Sequence, residues 1–128
     1  METATTHDIR ISVETIYQPM YSKPMKGEYV FAYRVTIENL GNYAVQLLRR
    51  HWHIWDSCSV LREVEGEGVV GEQPIIEPGG SYQYVSGCPL TTDMGYMYGT
   101  FLMKNMHSQH NFKVNIPRFQ LISPFKDN

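Results

Sequence analysis

The stretch EYVFAYRVTIEN, residues 28–39, alternates between two kinds of side chain along its length. One set of alternate positions holds only aromatic or aliphatic residues, namely Tyr29, Phe31, Tyr33, Val35 and Ile37. The positions between them include the polar residues Arg34, Thr36 and Glu38. Because successive side chains of a β-strand point to opposite faces, the pattern predicts a strand with one face in a hydrophobic core.

The same two-residue period recurs on both sides of this stretch, from Asp8 towards the C-terminus. No run of ten residues shows the 3.6-residue period of an amphipathic helix. Seven or more short strands with turn residues between them predict an all-β fold, an antiparallel β-sandwich of the immunoglobulin or fibronectin type III type. We expect the core to contain Phe31, Trp52, Phe101 and Phe112.

One of these strands changes register within itself. Val45 and Leu47 are apolar at odd positions, whereas Trp52 and Ile54 are apolar at even positions. A slip of one residue moves every later side chain to the other face. We therefore predict a β-bulge between about Leu48 and Arg50.

The 128 residues are enough for one domain, which we place at residues 8–124. Residues 1–7 are predicted to be a flexible N-terminal tail, and residues 125–128 a C-terminal tail. Between the first two strands, prolines and Gly27 break the chain. The apolar residues Met20, Tyr21 and Met25 in this loop are expected to pack over a sheet edge.

Charge and hydropathy exclude several classes of partner. The formal net charge is −2, and the 11 basic and 13 acidic residues are scattered. We therefore expect no nucleic-acid partner and no membrane partner, since either surface would need a basic patch. The sequence contains no apolar run of about 20 residues and no signal-peptide pattern, which predicts a cytoplasmic protein.

In that compartment Cys58 and Cys88 are expected to be free thiols. Neither belongs to a Cys-x-x-Cys pair, so a zinc site built on cysteine is not indicated. Trp52 precedes both cysteines, which favours a fibronectin-type sandwich over a disulfide-linked immunoglobulin domain.

The residues Gly66-x-Gly68-x-x-Gly71 match the dinucleotide-binding fingerprint as a string. That fingerprint works when a helix follows, because the helix N-terminus faces the pyrophosphate. Here Pro74 follows and no helical pattern succeeds it. Nearby glutamates would also repel phosphate. The pattern favours a tight turn between two strands over a nucleotide site.

His51 and His53 lie two positions apart on a predicted strand, so their side chains point to the same face. Their Cα atoms would be roughly 6–7 Å apart. Imidazole suits zinc, cobalt or nickel, so the pair is a candidate divalent-metal site. Asp56 or a nearby glutamate could supply a third ligand.

No enzymatic constellation is complete. The serines lack the strand-to-helix context of a nucleophile elbow, and the cysteines lack the context of a catalytic thiol. We therefore predict a protein that is not an enzyme and has no cofactor.

Several segments in series resemble the ApaG family over nearly the whole chain. They are Arg50-His51-Trp52, Gly66-Glu67-Gly68-Val69-Val70-Gly71-Glu72-Gln73-Pro74, Pro78-Gly79, Tyr84-x-Ser86-Gly87, Met97-x-Gly99 and Ile116-Pro117-x-Phe119. The family motif thus includes Arg50, His51, Trp52 and Pro74. His53 is not part of it, and Asp56-Ser57-Cys58-Ser59 lacks a glycine that the family usually has there.

The resemblance implies a small bacterial sandwich of the fibronectin or immunoglobulin type. Related domains in an F-box protein and a DNA-polymerase-interacting protein imply a protein-binding module. The bacterial family is also associated with cobalt and magnesium tolerance, and is named beside a dinucleoside-tetraphosphate hydrolase.

Together, residues and resemblance predict a non-enzymatic module that binds an unidentified protein partner. The predicted interaction loop comprises Glu63, Glu65, Gly66, Glu67, Gly68, Gly71, Glu72 and Gln73. Its four carboxylates favour a partner with a basic patch. The alternatives are a protein of divalent-cation homeostasis that binds metal at His51 and His53, and a nucleotide or polyphosphate binder.

Overall fold

The computed structural model describes residues 1–57 and 60–124. Nine strands lie within these residues. They are β1 (Glu2–Thr6), β2 (Ile9–Tyr17), β3 (Tyr29–Asn39), β4 (Val45–Asp56), β5 (Val60–Glu67), β6 (Ile75–Ile76), β7 (Ser81–Leu90), β8 (Met94–Asn105) and β9 (Asn111–Ile122). Between β2 and β3 lie two short 3₁₀ turns, Pro19–Tyr21 and Pro24–Lys26. No helix within residues 1–57 and 60–124 has the length and apolar character needed to cross a membrane.

The strands form two sheets. The first has the order β1-β2-β3-β7, and the second has the order β5-β4-β8-β9, with β6 paired to β4. Every pairing between named strands is antiparallel. The predicted antiparallel β-sandwich with at least seven strands is confirmed.

The core lies between the sheets and is built from the apolar face of each strand. Phe31 and Phe101 are almost wholly buried, and Trp52 is 2% exposed. The Trp52 ring makes edge contacts with Phe101 and Phe119, at centroid distances of 6.3 and 5.8 Å. Phe112 differs from the prediction: it is only partly buried and packs against the margin of the core.

The predicted β-bulge is confirmed in β4. Its pairing with β8 shifts register between Leu47 and Arg49. The carbonyl oxygen of Leu48, left without a ladder position, accepts hydrogen bonds from the Gly68 amide (2.8 Å) and the Gln73 side chain (2.9 Å). Beyond the bulge, Trp52 and Ile54 face the core, whereas His51, His53 and Trp55 face outward.

The N-terminus departs from the prediction. The flexible tail expected at residues 1–7 contains β1, which pairs with β2 from Glu2↔Val13 to Thr6↔Ile9. The turn between them places His7 and Asp8 at φ values of 48° and 63°, the left-handed conformation of a tight hairpin. The apolar pattern gave no signal because this edge strand is held by backbone pairing rather than by burial.

The segment between β2 and β3 also departs from the prediction. We define the β2–β3 loop as residues 18–28. Met20, Tyr21 and Met25 are 93%, 71% and 103% exposed, so they do not pack over a sheet edge. The two short turns hold them away from the sandwich, and no residue of either turn is buried.

Candidate functional site

Two histidines and two glutamates meet on the outer face of the second sheet. The bulge in β4 directs His51 and His53 outward, on the same face, as their spacing predicts. The antiparallel pairing of β4 with β5 sets Glu65 opposite His51 and Glu63 opposite His53. Cross-strand neighbours of this kind have Cβ atoms about 5 Å apart, so their side chains can interact.

The distances in this cluster are short. His51 Nε2 lies 3.2 Å from Glu63 Oε2, and His51 Nδ1 lies 3.2 Å from Glu65 Oε1. His53 Nδ1 lies 3.7 Å from Glu63 Oε1. One ligand atom from each of His51, His53 and Glu63 falls within 4.8 Å of the other two. The arrangement could therefore hold a metal ion, with Glu63 as the candidate third ligand that spacing alone did not identify.

Aromatic packing fixes the orientation of His53. Its ring stacks on Tyr98 at a centroid distance of 4.8 Å and an interplanar angle of 9°. The stacking continues along the face, with Trp55 on Tyr96 at 4.9 Å and the Arg118 guanidinium 3.7 Å from the centroid of Tyr96. The histidines thus lie at one end of an ordered aromatic surface rather than on a mobile loop.

The predicted interaction loop is only partly a loop. Glu63, Glu65, Gly66 and Glu67 belong to β5, which continues to Glu67. The strand extends this far because β4 provides a pairing partner for every residue up to Glu67. The loop proper begins at Gly68.

A hairpin turn closes that loop. Val69 and Glu72 exchange backbone hydrogen bonds of 2.8 and 3.0 Å. Val70 and Gly71 between them have φ values of 47° and 79°, as in a type I′ turn. At Gly68, whose φ is +64°, a Cβ would lie 2.2 Å from the Glu72 carbonyl oxygen, so the position requires glycine.

This geometry is not that of a dinucleotide site. The strand β6, and not a helix, follows the last glycine of the fingerprint. The amides of Gly68, Val69 and Glu72 donate to carbonyl oxygens within the loop and the β4 bulge. These amides are therefore already hydrogen-bonded within the protein. In a phosphate-binding loop, the backbone amides are free to donate to the ligand.

The residues of the predicted family motif hold β4 and the loop together. Arg50 Nη1 donates to the carbonyl oxygens of Glu67 (2.9 Å) and Gly68 (3.0 Å). Across the loop, the Leu47 amide donates to the Pro74 carbonyl oxygen at 3.0 Å. Trp52 fills the core. In this structure these motif positions build the framework that fixes the outward direction of His51.

Asp56, a possible third metal ligand from the sequence, is instead a buried carboxylate at the end of β4, on the opposite face from the histidines. Asp56 is 5% exposed and accepts hydrogen bonds from the Thr91 amide (2.6 Å), the Thr91 hydroxyl (2.7 Å) and the Thr92 hydroxyl. It ties the end of β4 to the turn between β7 and β8. The partners are 35 and 36 residues away in sequence, so no local motif marks them.

Of the two cysteines, Cys58 lies outside the described residues. Cys88 is a buried thiol on β7. Burial raises the pKa of Cys88 to about 11, although the nearby Arg62 guanidinium opposes the shift. A thiol held protonated in this way is a poor nucleophile.

Comparison with known proteins agrees with the motif. The model of the ApaG domain, DUF525, matches residues 19–105. The chain belongs to the ApaG family. Protein ApaG of Brucella suis biovar 1 is 47% identical over 124 residues, which cover 97% of this chain and 95% of the relative. Protein ApaG of Paramagnetospirillum magneticum is also 47% identical over the same coverage.

A solved structure shares both the family and the fold. The crystal structure of a Bordetella pertussis protein described as ApaA superposes with a TM-score of 0.89 at 42% sequence identity. The match covers 94% of this chain and 97% of that one. The ApaG-type sandwich therefore extends beyond the matched residues 19–105 to nearly the whole chain.

Proposed function

We propose that this ApaG-family chain is a non-enzymatic protein-interaction module that contacts its partner through the β2–β3 loop. The single observation that carries the proposal is the exposure of Met20, Tyr21 and Met25. Single exposed apolar side chains are ordinary, whereas a contiguous group on one loop is typical of an interaction site. The family description, ApaG, names no reaction.

The loop is held in one shape by its own hydrogen bonds. The Ser22 hydroxyl donates to the Gln18 carbonyl oxygen (2.7 Å) and accepts from the Val30 amide (2.9 Å). The Lys23 amide donates to the Glu28 carbonyl oxygen at 2.7 Å. A preorganised loop loses little conformational entropy on binding, so more of the energy of apolar contact is available for affinity.

Charge defines the partner further. Lys23 and Lys26 lie on either side of Met25, and no acidic residue occurs from Gln18 to Gly27. The flexible thioether of methionine adapts to an irregular apolar pocket. The loop therefore fits a protein surface with an apolar pocket bordered by carboxylates.

The carboxylates of β5 and the following loop form a second candidate surface for the same function. The side chains of Glu63 and Glu65 are 56% and 60% exposed. This surface favours a basic partner, as the sequence suggests, and Glu67 and Glu72 extend it. It supports the proposal less strongly than the β2–β3 loop does, because exposed glutamates are common on proteins without any partner.

Capture from a lysate of the source organism, quantified by isotope-labelled mass spectrometry, separates the two surfaces. We expect Met20→Ser/Met25→Ser to lose the proteins that the unmodified chain retains, and Glu67→Lys/Glu72→Lys to keep them. Both variants change exposed side chains and should stay within about 0.5 kcal/mol of the original stability. Identical capture by the methionine variant would reject the loop as the contact surface, and loss only in the glutamate variant would assign the function to the acidic surface.

A further inference from the structure

We propose that His51, His53 and Glu63 bind a divalent transition-metal cation on the outer face of the second sheet. This inference goes beyond the proposed interaction function, because it uses none of the residues of the β2–β3 loop. It rests on the geometry of three side chains held by two paired strands.

The spacing of the donor atoms suits such an ion. Zinc lies about 2.0–2.2 Å from imidazole nitrogen and carboxylate oxygen, so its ligand atoms are about 3–4 Å apart in a tetrahedral site. Glu63 Oε2 is 3.2 Å from His51 Nε2, and Glu63 Oε1 is 3.7 Å from His53 Nδ1. With one ligand atom from each residue, the three atoms lie within 4.8 Å of one another, so side-chain rotations must bring them closer to coordinate an ion.

The surroundings of His51 also suit a metal ligand. Each ring nitrogen lies 3.2 Å from a carboxylate oxygen, of Glu63 on one side and Glu65 on the other. An imidazolium can donate to both oxygens, whereas a neutral imidazole has one N–H and can donate to only one of them. A cation on Nε2 satisfies both contacts, because Glu63 becomes a ligand beside it while Nδ1–H still donates to Glu65.

Glu65 then acts as a positioning residue rather than a ligand. Histidines that bind metals usually donate their other N–H to a carboxylate or carbonyl, which fixes the tautomer and the ring direction. Tyr98 fixes the ring direction of His53 by stacking against it. Both histidines are thus oriented before an ion arrives.

The donor set also selects the class of cation. Two imidazoles with one carboxylate favour Zn²⁺, Co²⁺ or Ni²⁺, whereas Mg²⁺ and Ca²⁺ prefer oxygen ligands only. The histidine side chains are 32% and 25% exposed, so solvent can reach the site and water can complete the coordination.

Titration with Co²⁺ tests the site on the full-length protein. We expect substoichiometric Co²⁺ to broaden the imidazole ¹H–¹⁵N resonances of His51 and His53 and to spare those of His7, His107 and His110. His53→Ala and Glu63→Gln should each weaken Co²⁺ binding at least about tenfold in calorimetry. Glu65→Ala, which removes the hydrogen-bond acceptor, should weaken it about 10–100-fold and should reduce the population of the Nδ1–H tautomer of His51.

The matched control is His107→Ala, an exposed histidine outside the cluster, which should bind Co²⁺ like the unmodified protein. Circular dichroism and melting without metal check that each variant folds. Equal broadening of all five histidines, or unchanged affinity for Co²⁺ in Glu63→Gln, would overturn the metal site and show that the cluster is only a cross-strand ion pair. A thiolate charge-transfer band in the Co²⁺ spectrum would assign the metal to cysteine and overturn the proposal.

Discussion

Gly99 on β8 lies directly against the backbone of His51 on β4: a Cβ built on Gly99 would be 2.1 Å from the His51 carbonyl oxygen. No side chain fits at that distance. The contact links the motif glycine to the strand that presents the histidine cluster. Glycine inside a strand often marks a close backbone approach, and here the neighbour is the backbone of His51.

We therefore expect Gly99→Ala to force β4 and β8 apart and to lower the free energy of unfolding by at least about 2 kcal/mol. The matched control is Gly87→Ala on β7, where the added Cβ would be 3.6 Å from the Phe31 carbonyl oxygen, an ordinary contact. Urea unfolding of both variants is the measurement. A stable Gly99→Ala protein would contradict the close approach.

Burial of Phe101 gives a second expectation. Its side chain is 0% exposed and lies at the centre of the sandwich beside Trp52. Phe101→Ala should cost about 3–5 kcal/mol, because it removes apolar contacts and leaves a cavity. Phe112→Ala should cost less, since Phe112 is only partly buried. Equal losses in the two variants, measured by chemical denaturation, would contradict this assignment of the core.

Adjacent arginines on β4 allow a test of the motif. Arg50 donates to two backbone carbonyls of the glycine loop, whereas Arg49 is exposed. Arg50→Ala should lower the stability by about 1–3 kcal/mol, because it removes charge-assisted hydrogen bonds from those carbonyls. Arg49→Ala should change it by no more than about 0.5 kcal/mol. Amide hydrogen exchange at residues 67–73 should become faster in Arg50→Ala but not in Arg49→Ala. Unchanged exchange in Arg50→Ala would show that Arg50 does not stabilise the loop.

The sequence predicts those features that depend on local periodicity. The strand at residues 29–39, the β-bulge after Leu47 and the shared face of His51 and His53 all follow from a two-residue period and its interruption. The same reasoning places Trp52 in the core.

Features that depend on pairing between distant strands were not predicted. Glu63 meets His53 because of the β4–β5 register, and β1 forms because β2 offers a free edge. The exposure of Met20 and Met25 was also missed, since apolar side chains in a loop give no sign of which way the loop projects. Local composition does not indicate which distant strands pair, in which register, or which way a loop projects.

Cys88 gives the stability a pH dependence. Burial raises the pKa of its thiol from 9.0 to about 11, so the folded state holds the proton more tightly than the unfolded state. The resulting stabilisation is complete below about pH 9 and is lost as the pH rises through about 11. Two pKa units correspond to about 3 kcal/mol.

Urea unfolding of the original protein and of Cys88→Ala over this pH range measures the effect. Tyr33 and Tyr84, whose pKa values burial also raises, are common to both proteins. We expect the free energy of unfolding of the original protein to fall more steeply above pH 9 than that of the variant. Parallel curves would show that the buried thiol makes no contribution.

Photo-crosslinking from position 21 tests the proposed interaction most directly. A photoreactive phenylalanine derivative replaces Tyr21 in the β2–β3 loop, or, as the control, Tyr43 in the turn between β3 and β4; the two tyrosines are 71% and 49% exposed. The proposal predicts one discrete protein adduct in living cells from position 21, absent from position 43 and lost when Met20→Ser/Met25→Ser is combined with the probe. No adduct from position 21, a lipid adduct, or the same adducts from both positions would contradict the β2–β3 loop as the protein-binding surface.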